Sequence, residues 1–173
     1  LMPLIDDLLQ EHGWSRDSLD AVAVSGGPGS FTGLRIGVST AKGICHALDV
    51  PLIALDTLAL LAVQGQRLDA KKQPRVAMLD ARRMEVYAAI YSEDGTCLVP
   101  AKPVEVDQHP EAFEGAAQFI GDGAVKCQEV LAGEGRTFVE AWPLARDGAA
   151  LAQMQYDQAD FADLGSYEPN YIK

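Results

Sequence analysis

The stretch Ser25-Gly26-Gly27-Pro28-Gly29-Ser30-Phe31-Thr32-Gly33-Leu34-Arg35-Ile36-Gly37 follows a short apolar run, Ala21-Val22-Ala23-Val24. It precedes a helical pattern from Leu34 to Leu48. Strand, glycine-rich turn and helix is an arrangement that binds phosphate in many folds. Glycine permits close backbone approach, and Ser30 or Thr32 could cap the helix. The spacing departs from both common phosphate fingerprints. Gly33 is followed by Leu34, so the lysine of a Walker A loop is absent. Gly27, Gly29 and Gly33 are one residue too widely spaced for Gly-x-Gly-x-x-Gly. The phosphate-loop-like residues are Gly27, Gly29, Ser30, Thr32 and Gly33; a purely structural strand-to-helix turn is the alternative.

Outward from the loop, Leu1 to His12 reads as a helix ending near Gly13. Leu1, Ile5, Leu8 and His12 share one face, with Leu4 and Leu9 flanking it. So wide a stripe is either one deep core face or a core face plus a partner face. The helix from Leu34 has three sides. Leu34, Gly37, Val38, Ala41, Ile44, Cys45 and Leu48 form a core stripe; Arg35, Lys42 and His46 form a basic one. Ile36, Thr40, Gly43 and Ala47 form a third, mostly small line. Gly37 and Gly43 each cost about 1 kcal/mol of helix propensity, and close packing of a second helix would offset that.

Val50 to Leu55 predicts a strand, and Asp56 or Thr57 caps a helix through Val63. Gln64 to Pro74 is polar and basic, which places a boundary between residues 1–70 and 71–173. Three strands follow, Arg75–Ala81, Met84–Ser92 and Thr96–Val99, with Glu93-Asp94-Gly95 as a hairpin signal. Residues 75–99 should form an antiparallel meander. The strands at Ala21–Val24 and Leu52–Leu55 should lie parallel, since a helix connects them. A short strand at Gln118–Ile120 and helices at Ala124–Leu131 and Leu144–Met154 complete the reading.

Taken together the motifs resemble the signature of the TsaB (YeaZ) family. Besides the glycine loop, the resemblance rests on Leu4-Ile5-Asp6-Asp7-Leu8-Leu9, Ala41-Lys42-Gly43, Leu79-Asp80-Ala81-Arg82-Arg83-Met84-Glu85-Val86-Tyr87, Gly121-Asp122-Gly123-Ala124 and Glu168-Pro169-Asn170-Tyr171-Ile172-Lys173. It implies an α/β fold of the actin-like, ribonuclease-H-like ATPase superfamily with two related lobes. Family members open with a strand hairpin carrying an Asp-Thr-Ser motif, which is missing ahead of Leu1 here. The resemblance implies a non-catalytic dimerisation subunit of the bacterial machinery that makes threonylcarbamoyl-adenosine in tRNA. Its implied partners are a homologous catalytic subunit, an ATPase subunit and, alternatively, a second copy of itself. The implied partner face comprises Leu4, Ile5, Leu8, Leu9, Ile36, Thr40, Gly43 and Ala47. No cofactor is required on this reading, and the loop leaves room for weak nucleotide binding only. The alternative is a small phosphotransferase of the sugar- or acetate-kinase-like type using the glycine loop.

Bulk properties bound these readings. The chain of 173 residues, 48% hydrophobic and 23% charged, is long enough for a sizeable core. A net charge of −11 opposes a direct grip on tRNA. No stretch approaches the ~20 apolar residues of a membrane span. The three cysteines are far apart and form no Cys-x-x-Cys pair, as free thiols in the reducing cytoplasm would. His12, His46 and His109 form no His-x-x-x-His pair, so the paired-histidine metal site of the catalytic relatives is not expected. The cluster Asp80, Arg82, Arg83 and Glu85 reads either as a solvated, ion-paired turn or as a hairpin of the kind that holds metal–nucleotide in kinase-like relatives.

Overall fold

The computed structural model describes residues 1–69 and 71–172. Ala70, at the boundary expected between the lobes, and Lys173, at the end of the last motif, lie outside the described residues. Helix α1 (Met2–Glu11) has Pro3 in its first turn, where the missing N–H costs nothing. Strands β1 (Val22–Gly27) and β2 (Leu52–Asp56) pair in parallel, Val22 opposite Leu52 and Ser25 opposite Leu55. Helix α2 (Phe31–Leu48) makes the crossover that parallel pairing needs. It starts at Phe31, ahead of the expected Leu34, because Ser30 caps it: the Ser30 hydroxyl accepts from the Gly33 N–H at 3.3 Å.

Helix α3 (Thr57–Leu68) follows β2 directly and runs on past the expected end at Val63. Asp56 is its cap, the carboxylate accepting from the N–H groups of Leu58 at 2.8 Å and Ala59 at 2.9 Å. Asp56→Ala is expected to cost about 1 kcal/mol, and Asp56→Asn much less, because Asn keeps the accepting oxygen. Urea unfolding of the two variants checks this; equal losses would mean that the cap is not what Asp56 contributes.

The second sheet opens with the expected meander. Strands β3 (Arg75–Asp80), β4 (Glu85–Tyr91) and β5 (Cys97–Glu105) are antiparallel, Val76 facing Ile90 and Tyr87 facing Pro103. The hairpin at Glu93–Gly95 is pinned by Asp94. Its carboxylate accepts from the Ser92 hydroxyl and the Thr96 N–H, and these bonds pull its pKa down to about 2. Strand β6 (Gln118–Ile120) adds in parallel beside β3. Strand β7 (Thr137–Val139), not evident in the sequence, adds in parallel beside β6. The sheet order is β5-β4-β3-β6-β7. Between β6 and β7 the expected single helix is two, α4 (Asp122–Lys126) and α5 (Gln128–Leu131), broken at Cys127. Strand, helix, parallel strand thus occurs in both halves, as β1-α2-β2 and as β6-α4/α5-β7.

Both faces of the larger sheet are covered. Val76, Met78, Val86, Phe113, Phe119 and Leu131 fill one side. Leu58 and Leu61 of α3 pack on Ala77, Leu79, Ala89 and Ile120 on the other. The expected helix at Leu144–Met154 is a 3₁₀ turn at Ala145–Gly148 followed by α6 (Ala149–Asp157). From there the chain crosses back to the first sheet: Leu151 and Ala152 join Ile53, Leu55 and Leu60, and Ala162 pairs with Leu52. Arg67 locks this return. Its guanidinium donates to both oxygens of Asp147, at 2.8 and 3.3 Å, and Asp147 is buried. Asp147→Ala should therefore lower stability by about 1–3 kcal/mol, the cost typical of losing a charge-assisted bond. Thermal unfolding measures it, and an unchanged midpoint would show that Arg67 finds an equal partner elsewhere.

Candidate functional site

Two surfaces of the first sheet carry the residues singled out by the sequence. The first is the glycine loop. Its backbone is covered by the segment Leu164–Tyr171 of the same chain. The Asn170 N–H donates to the Gly26 carbonyl at 2.7 Å. A Cβ on Gly27 would stand 2.6 Å from the Asn170 carbonyl oxygen, and one on Gly26 2.1 Å from the Tyr167 hydroxyl. Gly27 also has φ +119°. Two glycines of the loop are thus required by a docked peptide, whatever else the loop does.

Helix α2 grips that segment with its basic side. Lys42 donates to the carbonyls of Gly165 at 3.4 Å and Tyr167 at 3.1 Å. Arg35 lies 4.1 Å over the Phe31 ring and donates to the Tyr171 hydroxyl at 3.3 Å. The Phe31 and Tyr171 rings sit 4.9 Å apart. Of the phosphate-loop-like residues, Gly27 is buried under the docked segment and Ser30 serves the helix cap. Gly29, Thr32 and Gly33 are exposed. Asn170 and Tyr171 are readable in the sequence only as part of a motif, and Tyr167 not at all, because their partners in α2 and the glycine loop lie more than a hundred positions earlier.

The second surface lies between α1 and α2. Ile5, Leu9, Thr40, Gly43 and Ala47 are brought together on an apolar groove of ≈ 350 Å³, with Met2 and Ile44 beside them. Leu4, Leu8 and Ile36 do not line it; they are 69%, 57% and 55% exposed next to it. Leu9 is buried. Arg16 joins the groove from the loop after α1, held by Asp6 at 2.9 Å through Nε. A Cβ built on Gly43 meets nothing within 4 Å. The monomer gives no reason for a glycine there.

Of the charge cluster at the β3–β4 turn, Asp80 and the Glu85 backbone join an internal network, while Arg82 and Arg83 are exposed. Lys126 bonds the Asp80 carboxylate and donates to the Glu85 carbonyl at 2.9 Å. Asp122 accepts from the N–H groups of Asp80 at 3.0 Å and Gly123 at 2.8 Å. Partial burial raises the Asp80 carboxyl, but the Lys126 ammonium and the Arg82 N–H outweigh it and hold its pKa below the ordinary value. A depressed pKa contributes stability that is present above the unfolded pKa of about 3.9 and is lost as pH falls through the folded value. Asp80→Asn should therefore be less stable than wild type at pH 7, with the gap closing in acid. Unfolding at pH 7 and pH 3 tests this; a gap that widens in acid reverses the sign.

Nothing in the described residues forms a metal cluster of three or more His, Cys, Asp or Glu. His12 bonds the Leu8 carbonyl, and His109 lies 3.1 Å from Glu111. Cys45 and Cys127 are buried, Cys97 is exposed, and all are free. Ser25 bonds the Thr57 hydroxyl at 2.6 Å rather than a histidine. No helix among the described residues is long and apolar enough to cross a membrane.

Comparison with known proteins adds a family. The family model for TsaD, tRNA N6-adenosine threonylcarbamoyltransferase, matches residues 1–154. The tRNA threonylcarbamoyladenosine biosynthesis protein TsaB of Escherichia coli K12 is 31% identical over 171 residues, 94% of this chain and 70% of that protein. TsaB of Bacillus subtilis 168 is 39% identical over 90 residues, 52% of this chain and 38% of that protein. The solved structure of YeaZ from Pseudomonas aeruginosa matches with a TM-score of 0.85 and 28% identity, covering 99% of this chain and 83% of that one. The fold is accordingly the α/β, actin-like, ribonuclease-H-like one expected from the sequence.

Proposed function

Since the chain belongs to the TsaB (YeaZ) family, we propose that it is a non-catalytic scaffold subunit in the threonylcarbamoyl modification of adenosine in tRNA. Its partner face is the groove between α1 and α2 with its exposed rim, Leu4, Ile5, Leu8, Leu9, Ile36, Thr40, Gly43 and Ala47. The partner seated there is the catalytic homologue, or a second copy of this chain when the homologue is absent. An ATPase subunit joins the assembly, and the setting is the cytoplasm.

One observation carries this reading. Gly43 sits in mid-helix with open space around its Cβ position. It costs the isolated helix about 1 kcal/mol relative to alanine. A stripe of Thr40, Gly43 and Ala47 lets a second helix approach to the ~8 Å end of interaxial distances. Exposed leucines and Ile36 beside the stripe supply the apolar area that such a contact would bury.

No cofactor is needed for a scaffold. The docked segment takes the Gly26–Gly27 backbone, which supports a reading with no more than weak nucleotide binding at the exposed first turn of α2. The kinase-like alternative has no observation in its favour. A direct grip on tRNA is opposed by the charge of −11.

Reconstitution tests the proposal. The purified chain alone should turn over no ATP and transfer no threonylcarbamoyl group. It should raise transfer by the catalytic homologue when the two are mixed. Multiple turnovers by the chain alone, abolished by Thr32→Ala, would show an enzyme instead.

A further inference from the structure

The tip of the β3–β4 hairpin is built against its own backbone preferences. Arg82 has φ +77° and Arg83 φ +47°, the one consecutive left-handed pair of non-glycine residues among those described. Hairpins that need two such residues in a row normally use Asn-Gly, since a residue with a Cβ is disfavoured there. The tip is held firmly in that shape. Arg82 N–H donates to Asp80 at 2.7 Å, Glu85 N–H to the Arg82 carbonyl at 3.0 Å, and Ala81 N–H to the Glu85 carbonyl at 3.1 Å. Asp80 is fixed in turn by Lys126 and Asp122.

For the monomer the two arginine side chains do little beyond the favourable field of the Arg82 charge on Asp80. Both arginines are exposed. Among the described residues neither guanidinium makes an ion pair or a hydrogen bond, in a chain whose net charge is −11. They open on a polar cleft of ≈ 590 Å³ that Glu85, Glu105 and Asp107 also line. Glu85 lies directly opposite Glu105 in the β4–β5 register, a like-charge pairing that destabilises a sheet. The tip therefore presents two exposed cations that make no hydrogen bond among the described residues, beside facing carboxylates. A strained backbone held in place by its surroundings is a mark of function.

We propose that this hairpin tip is a second protein-docking point, separate from the α1–α2 groove. It takes a partner segment that carries a carboxylate for the arginine pair next to a basic side chain for Glu85 and Glu105. Guanidinium and carboxylate meet in a bidentate fork that a rigid tip pre-orients. A polyanion fits less well, because its phosphates would face three carboxylates in the same cleft. The proposal rests on the scaffold reading, since a scaffold must hold more than one component at once.

The test uses the intact chain with the purified catalytic homologue and the purified ATPase subunit, titrated separately by calorimetry. Arg82→Glu with Arg83→Glu should weaken binding of one of them by about tenfold or more, and Arg82→Lys with Arg83→Lys should recover part of it. Arg82→Asn with Arg83→Gly should lose the same binding while raising the thermal midpoint, because the left-handed strain is relieved. That combination separates docking from a structural role. Unchanged affinity for both proteins in the charge-reversed variant overturns the proposal, as does a loss confined to tRNA binding. A wild-type chain that binds neither protein overturns the scaffold reading along with it.

Discussion

Gly121→Ala is expected to unfold the second sheet. Gly121 follows β6 and is the N-cap residue of α4, with φ +124° and its N–H bonded to the Val139 carbonyl at 3.0 Å. A Cβ at this position would lie 1.9 Å from the Met78 carbonyl oxygen and 3.0 Å from its carbon. Those atoms belong to β3, the central strand, paired on both sides. They cannot step back without breaking β3 from β4 or β6. Leu61 closes the space at 3.2 Å. The variant pays the left-handed penalty of roughly 1–2 kcal/mol and a backbone collision besides, against a total stability of about 5–15 kcal/mol. Gly115 and Gly135 supply the control. Each has positive φ, +79° and +77°, but a Cβ there meets nothing within 4 Å. Alanine at either should cost only the conformational part. Urea unfolding of the three variants is the measurement. Gly121→Ala within about 1 kcal/mol of the other two would mean that the strand yields more than close packing allows.

Ala47→Trp is expected to break association while leaving the monomer folded. Ala47 is exposed and lines the α1–α2 groove with Thr40 and Gly43, so an indole there points outward and overpacks only an intermolecular contact. Overpacking costs typically 1–3 kcal/mol, which is about 5- to 150-fold in affinity. Gly43→Ala sharpens the experiment. Open space at its Cβ position lets alanine in without a clash, so the monomer should gain up to about 1 kcal/mol from helix propensity. A methyl group between two closely packed helices should nevertheless weaken the complex. Stability rising while affinity falls is a pattern that a site of purely monomeric importance does not give. If both variants bind the catalytic homologue, and each other, as wild type does, the groove is not the partner face.

Much of the architecture was readable from local chemistry. Glu93-Asp94-Gly95 announces the meander because an aspartate that accepts from the residue two ahead makes its own turn. The parallel pairing of β1 and β2 follows from the helix between them. What stayed hidden lacks a local signal. Thr137–Val139 is three residues long, too short to show alternation, and becomes a strand only because β6 offers an open edge. Arg35 and Lys42 read only as part of a basic stripe; their partners are Tyr171 and the carbonyls of Gly165 and Tyr167, which no window of sequence brings near them. The candidate groove divides the same way. Helical spacing put Thr40, Gly43 and Ala47 on one line, and they do share a surface. It could not tell that Leu4, Leu8 and Ile36 stand outside the groove, since that depends on how α1 is rotated against α2.

The return of Leu164–Tyr171 to the glycine loop also sets an order of events during synthesis. Tyr171 reaches Arg35 across 136 positions, and Asn170 supplies the partner of the Gly26 carbonyl. A ribosome releases residues 25–35 long before those partners exist. The meander of residues 75–105, by contrast, has its contacts close along the chain and can condense as soon as it emerges. The half of the molecule made first is therefore the half completed last, and until then its loop lacks the segment that covers its backbone.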